Sequence, residues 1–143
     1  EAAYFDGSMT SCDPVISDGD FAYVTLATTL SGPCARWVQI NELRIYNVED
    51  IEEPTLLSVS EMEFPKGLAI DGDHLFVCEG NSGLKVFDVT NRENPIEIEF
   101  IEGFETFDVI AKDGLLMVTN SIEIRQYDYT NINDIRYLSS IDL

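Results

Sequence analysis

The chain has 143 residues, enough for one compact domain, and 45% of them are apolar, as in ordinary folded proteins. Eight Lys and Arg residues face 27 Asp and Glu residues, giving a net charge of −19 at pH 7, which repels nucleic acid phosphates and anionic lipids. We therefore expect no nucleic acid partner; the charge either keeps an exported protein in solution or attracts cations. No apolar run approaches the ~20 residues that cross a bilayer, and no signal peptide precedes Glu1, so we expect a processed or excised product without a transmembrane segment.

Two short motifs recur along the chain. The copies of the first are DGDFAYV at 18–24, DGDHLFV at 71–77 and the degenerate KDGLLMV at 112–118. The copies of the second are LRIYNV at 43–48, LKVFDV at 84–89 and IRQYDY at 124–129. The second motif starts 41 and then 40 residues after its previous copy, and a period of about 40 residues with several short strands is typical of β-propeller blades.

The period predicts an all-β, propeller-like chain of about three four-stranded antiparallel blades, either a partial propeller or a part of a larger one. The predicted units are residues 1–63, 64–103 and 104–143. In the first unit, Leu43 follows Val24 by 19 positions, whereas Leu84 follows Val77 by 7 positions. This unit therefore has a long loop between its second and third strands. Such insertions often carry function, although a flap covering apolar blade surface is an equal alternative.

Three cysteines are present, and none belongs to a Cys-x-x-Cys pair. Because a meander reverses at each turn, the start of a first strand and the loop between strands two and three lie at the same end of a blade. Cys12 and Cys34 are therefore predicted to form a disulfide that holds the long loop. Cys78, inside a second strand, is predicted to be a small buried thiol.

The second unit gives the clearest strand pattern, with strands predicted at 66–70, 74–79, 84–89 and 96–101. The turn between the first two is Asp71-Gly72-Asp73, in which Gly and Asp supply hairpin geometry. Asp71 and Asp73 also resemble a calcium loop, but only superficially, because the remaining ligands of an EF-hand are missing. Calcium remains a weak alternative at these two residues, and no other cofactor or metal is expected.

Polar residues are predicted to collect at the end of the blades where the first strands start. Ligand sites of propellers commonly form where these strands converge on the central channel, and the long loop lies at the same end. The binding-face candidates are Asp13, Arg36, Trp37, Lys66, Glu79 and Asp108. A solvated polar rim is the simpler alternative. No catalytic residue is predicted, because the single His74 has no nucleophile in register with it.

The run GLKVFDVT at 83–90, followed by Asn94-Pro95, resembles the LVIVD repeat of bacterial β-propeller proteins. Residues 12–15 with 22–26, and 67–72 with 75–78, look similar to stretches of the same proteins, many of which are exported and lipid-anchored in Bacteroidetes. The resemblance implies a propeller at the bacterial cell envelope, on the cell surface or outside the cell. It supplies no catalytic residues, and Glu79 stands where the family would have Asp.

The expected function is that of a non-enzymatic binding or scaffolding module whose partner is a protein or glycan at the cell surface, or another copy of itself. Three blades cannot close a ring, since propellers have four to eight, so both end blades are expected to present open faces. Two alternatives remain. One is a structural subunit that assembles into a ring or filament through these faces. The other is a calcium-dependent or hydrolytic propeller enzyme.

Overall fold

The computed structural model describes residues 13–29 and 39–143, in which twelve strands form three four-stranded antiparallel sheets. Blade 1 contains β1 (Val15–Ser17), β2 (Phe21–Leu26), β3 (Glu42–Asn47) and β4 (Thr55–Glu61). Blade 2 contains β5 (Leu68–Asp71), β6 (His74–Cys78), β7 (Gly83–Asp88) and β8 (Ile96–Glu102). Blade 3 contains β9 (Asp108–Lys112), β10 (Leu115–Thr119), β11 (Glu123–Asp128) and β12 (Arg136–Asp142). The predicted three four-stranded antiparallel blades are confirmed.

Each blade is a meander in which strands adjacent in sequence are adjacent in the sheet. The hairpin between its first two strands depends on the glycine of the first repeated motif. Gly19, Gly72 and Gly114 have φ of 87°, 59° and 83°, a left-handed conformation that side chains disfavour. The repeat therefore preserves an Asp-Gly pair because the turn requires it.

A register shift recurs at the same place in every blade, where the third strand pairs with the fourth. It falls between Ile45 and Tyr46 in blade 1, between Val86 and Phe87 in blade 2, and between Gln126 and Tyr127 in blade 3. In each case the aromatic residue belongs to the second repeated motif. Such bulges increase the local twist, so the repeat fixes the twist of the blade as well as its strands.

Blade 2 is covered on both faces. Leu75 and Val77 of β6 pack towards blade 1, where Tyr23 belongs to the same cluster. The alternate residues, Phe76 and Cys78, pack towards blade 3. A strand buried on both sides has no polar face, which explains the uninterrupted apolar run in β6. β1 contacts β5, and β5 contacts β9, so the first strands of the three blades lie side by side along the inner edge of the arc.

The two outer faces of the arc differ. On blade 1, Val24 and Leu26 are only 3% and 0% exposed and pack with Ile40 and Val48, although Val15, at the margin of this face, is exposed. On blade 3, Ile110 and Ile141 are 58% and 55% exposed. The centre of the blade 1 face is therefore buried, whereas Val15, Leu56 and Val59 on the same side of that sheet are exposed, so both end blades present apolar surface.

Within the described ranges, the structure contains no helix with the length and apolar character needed to cross a membrane.

Candidate functional site

An open cavity of about 400 Å³ lies where the starts of β1, β5 and β9 meet. We call this end of the arc the mouth. The cavity is lined by Asp13, Pro14, Ala27, Thr29, Phe64, Pro65, Lys66, Gly67, Phe107 and Asp108. Three of the six binding-face candidates, Asp13, Lys66 and Asp108, therefore surround one cavity. Ala27 and Thr29 belong to the start of the long loop, so that loop contributes to the wall as well.

Hydrogen bonds that end on main-chain carbonyls hold the three strand starts together at the mouth. The Thr25 hydroxyl of blade 1 donates to the Lys66 carbonyl at 2.6 Å, and the Lys66 amide donates to the Cys78 carbonyl at 2.8 Å. The Gly67 amide donates to the Phe107 carbonyl of blade 3 at 2.9 Å. β5 begins at Leu68, two residues later than the sequence predicted, although Lys66 and Gly67 still bond to Cys78 at the end of β6. The cavity wall is thus fixed by bonds between blades that need no charged side chain.

Gly67 is required by the close approach of blade 3. A Cβ at this position would lie 2.7 Å from the Cα of Asp108 and 2.8 Å from the Phe107 carbonyl oxygen, distances that real Cβ atoms do not show. Any side chain would therefore push β5 and β9 apart and open the cavity wall. This role depends on a contact between blades, and the sequence around Gly67 carries no signal for it.

The Lys66 ammonium lies over the rings of Phe107 and Phe64, with its Nζ 4.4 Å and 5.1 Å from the two ring centroids. In residues 13–29 and 39–143, no carboxylate forms an ion pair with it. Aromatic faces attract an ammonium without satisfying its hydrogen-bond donors. Lys66 therefore has donors left for a group that enters the cavity.

Phe64 and Phe107 were missed by sequence reasoning. Each precedes the first strand of its blade, Phe64 by four residues and Phe107 by one, so the two rings are out of register in the repeat. Comparison of the repeats therefore gave no reason to expect the two rings beside the same cavity. The position of Asp108 at the mouth, by contrast, follows from strand direction alone. Its Oδ1 accepts a hydrogen bond from the amide of Val109 at 2.9 Å.

Glu79 lies beneath the mouth instead of lining it. Its side chain is 0% exposed, and its two oxygens accept the amides of Glu63 and Phe64 at 3.1 Å and 2.9 Å. The Lys85 ammonium lies 3.2 Å from it. Burial of Lys85 opposes its charge, but the hydrogen bond and charge of Glu79 outweigh this effect and raise the pKa of Lys85. Glu79 therefore positions the segment that carries Phe64, and its carboxylate is used inside the fold.

The base of the long loop is closed by Thr28. Its amide donates to Asn41 Oδ1 at 2.8 Å, its hydroxyl donates to the Ile40 carbonyl at 3.1 Å, and the Ile40 amide donates back to that hydroxyl at 2.8 Å. These bonds start and end the loop at the mouth, as strand direction predicted. The candidates Arg36 and Trp37, and the predicted disulfide between Cys12 and Cys34, lie outside the described residues.

Cys78 is a free, fully buried thiol, as predicted. Burial raises its pKa to about 12, an effect that a hydrogen bond with Thr106 only partly offsets. The thiol is therefore protonated at neutral pH, and a protonated, inaccessible thiol is a poor nucleophile.

The opposite end of the arc, which we call the far end, is closed by side chains. Arg92 donates to Asp73 Oδ1 at 2.6 Å and to Asp18 Oδ2 at 3.4 Å, and Tyr23 donates to Asp18 Oδ2 at 3.0 Å. The Tyr129 hydroxyl donates to Asp71 Oδ2 at 2.5 Å. Both carboxylates of the weak calcium candidate thus serve contacts within the fold. In the part of the chain that the structure describes, no three His, Cys, Asp or Glu residues are grouped to hold a metal ion.

No family model and no curated protein matches the chain. Among solved structures, it is similar to a chain of a nidogen/laminin complex, with a TM-score of 0.56 and 12% identity over 85% of this chain and 43% of that one. It is also similar to apo AztD from Citrobacter koseri, with a TM-score of 0.53 and 13% identity over 87% of this chain and 34% of that one. The chain thus spans less than half the length of either protein. Both are β-propeller proteins, and the chain has a β-propeller fold.

Proposed function

We propose that this propeller is a non-enzymatic module of the bacterial cell envelope that binds a carbohydrate of a cell-surface partner in the mouth cavity. The observation that carries the proposal is Lys66, whose ammonium faces the cavity from between two aromatic rings and has hydrogen-bond donors to spare. A sugar hydroxyl is a suitable acceptor for these donors.

The remaining lining suits one sugar unit. A volume of about 400 Å³ falls at the lower end of the range of small-molecule sites. The edges and faces of Phe64 and Phe107 supply apolar surface, and Asp108 supplies a carboxylate that accepts hydrogen bonds from sugar hydroxyls. Rings combined with a few converging polar groups are what orient a ligand in such a cavity.

Charge, sequence resemblance and the cavity lining support the location and the non-enzymatic role. The net charge of −19 and the resemblance of residues 83–90 to the LVIVD repeat favour an exported protein at the envelope. The described lining of the cavity contains no Ser, Cys or His, and Cys78 is protonated and buried below it. Binding is therefore the activity that these side chains support best.

The test is a titration of the isotope-labelled chain with glucose, glucosamine and glucuronate, followed by the backbone amide shifts in NMR spectra. We expect glucose to shift the amides of Gly67 and Asp108 more than glucuronate does, because Asp13 and Asp108 lie in the same lining as Lys66 and repel a sugar carboxylate. Lys66→Ala should abolish these shifts, and Glu93→Gln, in an exposed far-end loop, should leave them unchanged.

Absence of mouth shifts with all three sugars would contradict carbohydrate binding. A second outcome is that protein extracted from the envelope, but none of the sugars, shifts the amides of Gly67 and Asp108, and that Lys66→Ala removes this effect. The cavity would then be a protein-binding site, and the carbohydrate proposal would be wrong.

A further inference from the structure

The mouth holds a positive and a negative side chain that do not pair with each other. Lys66 Nζ lies 4.4 Å and 5.1 Å from the ring centroids of Phe107 and Phe64, and Asp108 lines the same cavity. Among the side chains that the structure describes, no carboxylate oxygen comes within ion-pair distance of this ammonium. The cavity therefore presents Lys66 and Asp108 as separate groups, each with its own charge.

Asp108 has acceptor sites left for a ligand. Its side chain is exposed, and its Oδ1 accepts the amide of Val109 at 2.9 Å. Within the described ranges, its Oδ2 accepts no hydrogen bond from the protein. Because an ionised carboxylate offers about four acceptor sites, most of those of Asp108 are open to a group that enters the cavity.

Two further carboxylates lie at the mouth, in the linkers that lead into β5 and β9. The Ser82 hydroxyl donates to Glu63 Oε2 at 2.6 Å, and the Ser121 hydroxyl donates to Glu105 Oε2 at 3.0 Å. These hydroxyls hold the two carboxylates in place without neutralising them, and neither pairs with a Lys or Arg of the described residues. The chain also carries −19 overall, so the potential at the mouth attracts cations more than anions.

We propose that the mouth selects an amino sugar, whose ammonium binds Asp108 and whose hydroxyls accept hydrogen bonds from Lys66. This inference rests on the carbohydrate binding proposed above. An amino sugar carries its ammonium and its hydroxyls on different carbons of one ring, so it can meet two opposite charges that do not meet each other. The apolar face of the same ring can pack on Phe64 or Phe107.

The charge of Lys66 does not oppose this choice of ligand. Its ammonium is held on the aromatic side of the cavity, where the ring faces attract it. Asp108, Glu63 and Glu105 outnumber it at the mouth. A hydrogen bond from an ammonium to a carboxylate is also shorter and stronger than one from a hydroxyl. The amine of the sugar therefore gains more at Asp108 than a hydroxyl in its place would gain.

The test is a pair of NMR titrations, one with glucosamine hydrochloride and one with glucose plus matched sodium chloride, at a pH at which the amine is protonated. The two sugars differ at one carbon, which bears an ammonium or a hydroxyl. Followed at the Gly67 amide, the Kd for glucosamine should be about fivefold lower than that for glucose, as for an ion pair in contact with water.

The carboxylate is tested by Asp108→Asn, which keeps the shape of the side chain and removes its charge. This variant should bring the ratio of the two Kd values close to one. The matched control is Asp134→Asn, which removes the same charge from an exposed loop of blade 3 at the opposite end of the arc and should keep the ratio. Added salt should narrow the difference in wild type, because it screens the charges.

Ethylammonium chloride supplies the ammonium without the sugar ring, and it should leave the Gly67 amide unshifted at concentrations at which glucosamine saturates the site. An equal shift with ethylammonium would make the mouth a simple cation site and overturn the inference. Glucose binding as tight as glucosamine binding, or an unchanged ratio in Asp108→Asn, would overturn the amino sugar and leave carbohydrate binding standing. Absence of shifts with either sugar would contradict carbohydrate binding itself.

Discussion

The mouth and the far end hold the blades together by different means. At the far end, polar side chains bond across blades to carboxylates: Arg92 of blade 2 pairs with Asp18 of blade 1, and the Tyr129 hydroxyl of blade 3 donates to Asp71 of blade 2. At the mouth, the bonds between blades end on main-chain groups, as with the Gly67 amide and the Phe107 carbonyl. The difference teaches that the charge of Lys66 at the mouth is not needed to hold the arc and is available for a ligand.

The largest stability effect is expected from Glu79, just beneath the mouth. Glu79→Leu leaves the amides of Glu63 and Phe64 without an acceptor and removes the main partner of Lys85. We expect a loss on the order of 3 kcal/mol in the free energy of unfolding, because one member of a largely buried pair is removed. The control is Glu97→Leu, since Glu97 also pairs with Lys85 but is more exposed; its cost should stay below about 1 kcal/mol. Urea denaturation measures both, and equal costs would contradict a structural role for Glu79.

A smaller loss is expected from Gly67→Ala, because the new Cβ meets the main chain of Asp108. Overpacking of this kind costs about 1–3 kcal/mol. Gly72→Ala is the comparison: nothing lies within 4 Å of its Cβ, but its φ of 59° is unfavourable, so about 1 kcal/mol is expected. Thermal unfolding followed by circular dichroism distinguishes them. A Gly67→Ala variant as stable as wild type would mean that the blades do not approach so closely.

At the far end, Arg92→Ala should cost about 1–2 kcal/mol, because Arg92 bonds to both Asp18 and Asp73 and packs over the Phe21 ring. Arg136→Ala removes a more exposed arginine with one carboxylate partner, Asp128, and should cost less than about 1 kcal/mol. The two values come from chemical denaturation of monomeric protein at equal ionic strength. If Arg92→Ala lowered the free energy of unfolding no more than Arg136→Ala does, the side-chain bonds at the far end would not contribute to stability as described.

The far end should also weaken at high pH. Burial raises the pKa of Tyr23 to about 12; Arg92 lowers it less than burial raises it, and Asp18 adds to the rise. A raised tyrosine pKa means that this contribution to stability is complete below the ordinary value of about 10 and is lost as pH rises through about 12. Between these values, stability should fall less in Tyr23→Phe than in wild type, measured by urea denaturation at successive pH values. If the stability of wild type and of Tyr23→Phe fell equally with pH, the raised pKa of Tyr23 would be contradicted.

The smallest stability effect is expected from Lys66→Ala, below about 1 kcal/mol, because the side chain contacts only two rings and no carboxylate of the described residues. Its effect should appear in ligand binding. A stability loss as large as that of Glu79→Leu would show that Lys66 holds the fold together and is not reserved for a ligand.

The repeat made most of the fold predictable. The Asp-Gly turns and the 41- and 40-residue spacings give three meanders, and Cys78 falls inside a strand that has neighbours on both faces. Strand direction alone brings Lys66 and Asp108 to the same end. Glu79 could not be placed in this way, because its role depends on which amides of the preceding linker lie above it. The same holds for the outer faces, since the pattern of a strand does not reveal what covers it.

The most direct test of the difference between the two ends compares Lys66→Ala with Arg92→Ala in two assays, the glucose titration by NMR and unfolding by urea. The account predicts that Lys66→Ala loses the mouth shifts and keeps its stability, whereas Arg92→Ala keeps the mouth shifts and loses stability. The opposite assignment, or a loss of both properties in both variants, would contradict it.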